Sequence, residues 1–325
     1  MSTTTGACTP GVRGIFVANL VAQTAILVTG AVVRLTGSGL GCPTWPQCVE
    51  GSYVPTGRQP QEWHKYVEFG NRMLTFVLVG LAIASVVAAW WDRRSRPRSG
   101  RPQRPVIFLL ALIPIVGTVA QAVLGGITVL AGLSPVTVSS HFLLSMVIVA
   151  GCVALVVRAG DPGDQPITYL VPPLVRGLAW ALVAVSAVLV LLGVLTTGSG
   201  PHSGDAAAEN RFSFDPRTIS WIHADVVLLF LGLTIGLLIV LLVIRAPHRA
   251  VFHTALLLGI ATAQGLLGYV QYFAGLPIVL VTLHVLGSGL VWILVLFIPS
   301  TLRERGVVTM ETFREELVQE RVERD

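Results

Sequence analysis

Charge is what this 325-residue sequence has least of: Asp, Glu, Lys and Arg together make up 12% of it, about half the ~25% usual in a soluble domain. So few charges cannot clothe a water-soluble fold of this length. A hydrophobic content of 53% and a mean hydropathy of +0.76 point instead to lipid as the solvent. The pI near 9.4 does not imply nucleic acid, because the arginines sit in short connections between apolar runs, as they do in membrane proteins. Nucleotide-binding and hydrolase signatures are missing as well. There is no Walker motif, dinucleotide fingerprint or GxSxG elbow, and the Gly-Ser-Gly stretches follow helical runs rather than strands, so phosphate cradling is not indicated. Cysteine is scarce, at four residues. Cys8 and Cys152 are remote from Cys42 and Cys48, and Cys152 is embedded in an apolar run, so no zinc site is expected and both read as packing residues. No small-x-small cleavage site follows the first apolar run, and Arg13 alone precedes it, so neither a cleaved signal nor a transit peptide is expected. A bacterial plasma membrane is the expected location.

What is present is a series of apolar runs long enough to span a bilayer, which takes about 20 residues. They lie at 14–34, 73–91, 106–130, 137–157, 173–196, 220–244, 251–273 and 277–299. The expected fold is an all-α integral membrane protein with eight transmembrane helices. The connection at 92–105 carries Arg93, Arg94, Arg96, Arg98, Arg101 and Arg104; Arg158, Arg176, Arg245 and Arg249 flank later connections on the same side. By the positive-inside rule that side, with both termini, is cytoplasmic. The long connections at 35–70 and 197–219 then face outward.

The sequence repeats itself. Ala120-Gln121-Ala122-Val123-Leu124-Gly125 returns as Ala263-Gln264-Gly265-Leu266-Leu267-Gly268, and Ala131-Gly132-Leu133 as Ala274-Gly275-Leu276. The same offset of 143 residues carries His141 onto His284. Thr36-Gly37-Ser38-Gly39 echoes Thr197-Gly198-Ser199-Gly200, and Asn71 echoes His223 by its distance from a following glycine. A duplicated four-helix unit, its copies parallel and related by a pseudo-two-fold axis along the membrane normal, accounts for all of this. The expected organisation is a tail at 1–13, one half at 14–160, a second at 161–300 and a tail at 301–325.

His141, His223 and His284 fall at equivalent depth near the outer ends of their helices. Ionisable residues inside a bilayer are costly and point to function, although a neutral histidine bonded between helices is the plainer alternative for any one of them. Facing histidines on neighbouring helices are how a membrane bundle holds haem iron. His223 and His284 form the best pair. The matching positions of the first half are Asn71 and His141, and asparagine is a poor iron ligand, so the first half suits an open coordination position. His64, Glu68 and Asn71, spaced i, i+4, i+7, share a face if the helix begins early. Glu68 then points towards the His141 site, or is an ordinary helix-start carboxylate favoured by the macrodipole. His64 either substitutes for Asn71 or faces solvent. Cys42 and Cys48, on the oxidising side, are expected to pair, as a loop staple or as an electron-exchanging thiol pair. Arg34 and Arg72 at outer helix ends read as snorkelling cations or as partners of haem propionates.

The stretch from Gly30 through Arg34 and Thr36-Gly37-Ser38-Gly39 to Cys42-Pro43-Thr44-Trp45-Pro46-Gln47-Cys48 resembles the signature of the haem A synthase family. So do Glu68-Phe69-Gly70-Asn71-Arg72, the GSGPHSGD segment at 198–205, His223-Ala224-Asp225 and the histidine of the last helix. With Asn71, the chain is similar to the actinobacterial-type members. The resemblance implies an oxidoreductase that oxidises a ring methyl of haem O to a formyl group, giving haem A for terminal oxidase assembly. It implies haem b as cofactor, with His223 and His284 as its axial ligands, His141 as the ligand at the substrate haem, Glu68 as the functional acid, and a Cys42–Cys48 disulfide. A haem O synthase and an electron donor are the partners it suggests. Two other classes stay open from the residues themselves: a b-type cytochrome confined to electron transfer, and a transporter.

Overall fold

The computed structural model describes residues 6–205 and 210–306. Among these are eight helices long and apolar enough to cross a membrane: α1 (Pro10–Leu35), α2 (His64–Ser95), α3 (Pro105–Leu130), α4 (Pro135–Gly160), α5 (Pro173–Ser199), α6 (Pro216–Val243), α7 (His248–Phe273) and α8 (Ile278–Thr301). Proline opens α1, α3, α4, α5 and α6, a position that wants its fixed φ and has no use for its missing N–H. Asp215 caps α6, its carboxylate accepting from the Thr218 N–H at 2.8 Å. Side chains such as Val21, Phe76, Leu109, Leu174 and Val243 stand exposed around the barrel of helices. An apolar surface of that extent is stable in lipid and not in water, so the chain is a multi-pass membrane protein.

The helices close into two rings. In the first, α1 packs on α2, α2 on α3, α3 on α4 and α4 on α1; in the second, α5 to α8 repeat the scheme. Between rings, α1 meets α8, α4 meets α5 and α4 meets α8. Exchanging the halves turns the α1–α8 contact into α5–α4 and leaves α4–α8 in place, as a pseudo-two-fold between α4 and α8 requires. The duplication extends to backbone detail. The N–H groups of Ala131, Gly132 and Leu133 bond to the carbonyls of Ile127, Val129 and Thr128; those of Ala274, Gly275 and Leu276 bond to Val270, Tyr272 and Gln271. Both turns place a leucine in the left-handed region, Leu133 at φ 57° and Leu276 at φ 60°, a conformation that non-glycine residues rarely adopt.

The packed apolar core is uneven along the membrane normal. In the second ring it comprises Leu182, Phe230, Leu237, Leu241, Leu257, Val295 and Ile298, and in the first Phe16, Ala88, Ile107, Ala111 and Leu155. All but Phe230, at the middle of α6, lie towards the arginine-rich end. The rings are joined by a third cluster including Leu20, Met146, Val149 and Cys152, and the Trp292 indole donates to the Met146 carbonyl at 3.0 Å.

The arginine-rich end is a bonded network. Arg96 is fully buried and donates to Asp92 at 2.6 Å and the Gly6 carbonyl at 2.8 Å. Arg104, almost fully buried, donates to Asp164 at 2.9 Å and to the Arg158 carbonyl at 2.7 Å. Asp161 takes Arg158 at 2.6 Å and Arg303 at 3.3 Å. The expected tails shrink accordingly. α1 begins at Pro10 rather than 14, and Arg303–Arg305 (β2) pairs antiparallel with Ile167–Tyr169 (β1). α2 begins nine residues before its apolar run, because helix hydrogen bonding continues beyond the hydrocarbon region that hydropathy detects. The rest of the C-terminal segment lies outside the described residues.

Candidate functional site

His141 and His284 each stand six residues beyond the helix start, in α4 and α8, and His223 seven residues into α6. At 1.5 Å per residue all three sit about 9–11 Å in from the helix starts, at the end away from the packed core. Helices α6 and α8 are diagonal in their ring, as are α2 and α4 in theirs. Diagonal placement sets His223 on α6 and His284 on α8 on opposite sides of the ring.

A glycine lies beside each imidazole. A methyl group at Gly193 would meet His223 Cε1 at 3.6 Å, one at Gly268 would meet His284 Cε1 at 3.4 Å, and one at Gly125 would meet His141 Nε2 at 3.0 Å. Gly125 and Gly268 are repeat-related, and so are the histidines they accommodate. Gln121, one turn before Gly125, donates to the His141 carbonyl at 2.9 Å and steadies α4 there. Nδ1 of His223 and Nδ1 of His284 are buried and have no hydrogen-bond partner among the described residues. A buried polar atom without a partner costs roughly 1–3 kcal/mol. Two imidazoles at matching depth on diagonal helices, each with a ring nitrogen left unsatisfied by the protein, are a donor set that suits haem iron.

In the first ring only His141 offers an imidazole from the equivalent position. Asn71 is bonded within the protein, its Oδ1 accepting from the Thr29 hydroxyl at 2.7 Å. Helix α2 does begin at His64, so His64, Glu68 and Asn71 share a face, but each has a different partner. His64 Nδ1 pairs with the Ser38 hydroxyl at 3.0 Å and its ring stacks on Trp63.

Glu68 is buried. One carboxylate oxygen accepts from the Cys42 N–H at 2.6 Å; the other takes Arg72 at 2.6 Å. Arg72 donates onward to the carbonyls of Cys42 at 2.7 Å, Thr44 at 3.1 Å and Gln47 at 3.3 Å. These residues bracket the Cys42–Cys48 disulfide, both of whose cysteines are wholly buried. Arg34 likewise turns inward, donating to the carbonyls of His202 and Thr197, both at 2.8 Å. The Gly39 N–H bonds to the Gly204 carbonyl at 2.7 Å, so the long loops of the two halves are clasped over the histidine end. Neither arginine snorkels. In each case backbone carbonyls of the outer loops or of the end of α5 lie nearer than solvent.

Reading single residues overlooked Gly125, Gly193, Gly268 and Gln121. The signal for three of them was in view, since the repeated Ala-Gln-x-x-x-Gly stretch that reveals the duplication is the part of α3 and α7 that faces the histidines. The partners of Cys8 were not legible: its thiol donates to Asp92 at 3.6 Å and accepts from Arg96 at 3.5 Å.

The fold and site together define a polytopic membrane protein of two duplicated four-helix rings, with histidines at matching depth near one end. The family model described as cytochrome oxidase assembly protein (COX15-CtaA) matches residues 13–296, and the chain belongs to that family. Similar curated proteins include the haem A synthase of Geobacillus thermodenitrificans, 31% identical over 105 residues, 32% of this chain and 29% of the relative. That of Geobacillus kaustophilus is 29% identical over 117 residues, 36% and 32%. That of Listeria welshimeri is 30% identical over 140 residues, 43% and 42%. The matched stretch therefore spans less than half the length of each of these relatives.

Proposed function

We propose that the chain is a haem A synthase of the actinobacterial type, oxidising a ring methyl of haem O to the formyl group of haem A for terminal oxidase assembly. The observation that carries it is the pair His223 and His284 on diagonal helices of the second ring, with His141 alone at the repeat-related place in the first. On this reading residues 161–300 hold haem b between His223 and His284, and 14–160 take the substrate haem O at His141. Haem b, when bound, supplies electron transfer. The chain's own contribution is to fix the geometry. Gly193 and Gly268 lie beside the two imidazoles, and the Gln121 amide holds α4 at His141. Glu68 is the acidic group assigned to the substrate site, its carboxylate immobilised by the Cys42 N–H and Arg72. Arg34, Arg72 and His64 are accessory, the first two bracing the loops over both sites.

The arginine-rich end and both termini are assigned to the cytoplasm, which puts the haem sites in the outer half of the bilayer. A haem O synthase that delivers substrate, and a separate electron donor, are the implied partners. A b-type cytochrome confined to electron transfer is the weaker reading, because Asn71 is engaged by Thr29 and the first ring offers one imidazole rather than two. A transporter is weaker still, because none of the eight spanning helices is broken.

Expression beside a haem O synthase, in a host lacking haem A, tests the proposal by haem extraction and chromatography. Haem A should appear, and should vanish with His141→Ala while bound haem b persists. Haem b without haem A, with haem O supply verified, would instead establish the cytochrome.

A further inference from the structure

At the arginine-rich end, where α1 begins and α2 ends, the surface holds a cleft of about 360 Å³. Its lining includes Thr9, Trp90, Trp91, Asp92, Arg94 and Arg98. Four features of this lining bear on what it binds. The Arg94 and Arg98 guanidinium groups make no hydrogen bond or ion pair among the described residues, unlike those of Arg96, Arg101 and Arg104 a few positions away. The one carboxylate in the lining, Asp92, is already neutralised from behind by Arg96 at 2.6 Å and Arg101 at 3.4 Å, so it does not repel an anion. The Arg94 guanidinium is held over the Trp90 ring at 5.3 Å, a contact that orders the cation without consuming its N–H donors. Trp90 and Trp91 stand exposed at the end of a spanning helix, the depth where tryptophan marks the boundary between acyl chains and headgroups.

We propose that this cleft is a binding site for the phosphodiester headgroup of an anionic phospholipid. The acyl chains would run down the exposed faces of α1 and α2, past Trp91 and Val87. Basic pockets beside spanning helices, at headgroup depth, are suited to such lipids. A planar guanidinium grips a phosphate with two parallel N–H bonds, and here two unpaired ones stand four residues apart, one in the last turn of α2 and one in the 3-10 turn Pro97–Ser99 that follows it. A zwitterionic lipid offers the same phosphate but brings a cation towards Arg94 and Arg98. The site therefore discriminates by charge. This inference rests on the membrane-spanning fold alone and not on the proposed enzymatic activity.

The test uses the full chain, purified in detergent and delipidated, then titrated with phosphatidylglycerol or phosphatidylcholine and read by native mass spectrometry. One phosphatidylglycerol should bind more tightly than the rest. Arg94→Gln/Arg98→Gln should weaken that step about thirtyfold, and Arg98→Gln alone about fivefold. Arg245→Gln/Arg249→Gln, at the same end of the second ring, should leave it within threefold. Equal phosphatidylglycerol binding by the wild type and the double variant would overturn the proposal. So would equal binding of phosphatidylcholine, or complete displacement by inorganic phosphate at tens of millimolar, which would mark a free-anion site instead.

Discussion

Removing the Glu68 carboxylate should loosen the disulfide loop before it affects anything else. In the folded chain Cys42 and Cys48 are wholly buried, so a reductant reaches them only when the loop opens. Glu68→Ala strips the Cys42 N–H of its acceptor, at 2.6 Å, and deprives Arg72 of its carboxylate. Loss of a buried pair partner can cost 3–5 kcal/mol, but Arg72 is 21% exposed and keeps three carbonyl acceptors. The dominant loss is the unsatisfied Cys42 N–H, about 2 kcal/mol, which raises the open population roughly thirtyfold. Glu68→Gln keeps an acceptor for Cys42 and loses only charge, so about fivefold is expected. The assay is the rate at which a phosphine reductant exposes Cys42 and Cys48 to maleimide, followed by peptide mass spectrometry. A Glu68→Ala protein reduced at the wild-type rate would refute the assignment of Glu68 as the loop's anchor. Equal rates for Glu68→Gln and Glu68→Ala would show that charge, and not the acceptor, holds the loop.

Three further outcomes are expected. His223→Ala and His284→Ala should each abolish the six-coordinate low-spin haem spectrum, whereas His141→Ala should keep it; optical spectra of the purified proteins decide this. Gly125→Ala places a methyl 3.0 Å from His141 Nε2, and Gly268→Ala one 3.4 Å from His284 Cε1. The first should cut haem A formation severalfold, and the second should shift the haem b spectrum only slightly. Burial first, then the charges of Arg34 and Arg211, holds the His202 imidazole below its ordinary 6.5. The unfolded chain therefore takes up the proton first as pH falls, so stability is full above about pH 6.5 and declines below it. The slope should be shallow, because His202 is partly exposed. Thermal unfolding between pH 7.5 and 5 should show it, and Arg34→Gln should flatten it; an unchanged slope in that variant would remove Arg34 from the account.

How legible the molecule was in its sequence depended on the range of the interaction involved. A spanning helix is dictated locally. Each apolar run must satisfy its own backbone hydrogen bonds in lipid, so composition alone determined eight helices and an all-α membrane fold. The duplication was equally legible, because His141 and His284 keep the same distance from Gly125 and Gly268 along the chain. Boundaries were less so: α2 starts at His64 and β2 continues past the last apolar run, and neither depends on hydropathy.

Partner choice belonged to the tertiary structure. Arg34 and Arg72 read as cations bound for water, yet both end on backbone carbonyls, because only the fold brings those acceptors within reach. Asn71 stood in the sequence as a missing iron ligand; the fold shows its oxygen bonded to Thr29 on another helix. Glu68 was visible as a carboxylate at the start of a helix, while its grip on the Cys42 loop was not. The sequence by itself determined which segments enter the membrane and which residues are duplicated. The tertiary structure decided that α6 faces α8 across one ring and α2 faces α4 across the other, since helix order around a ring is settled by packing between distant segments.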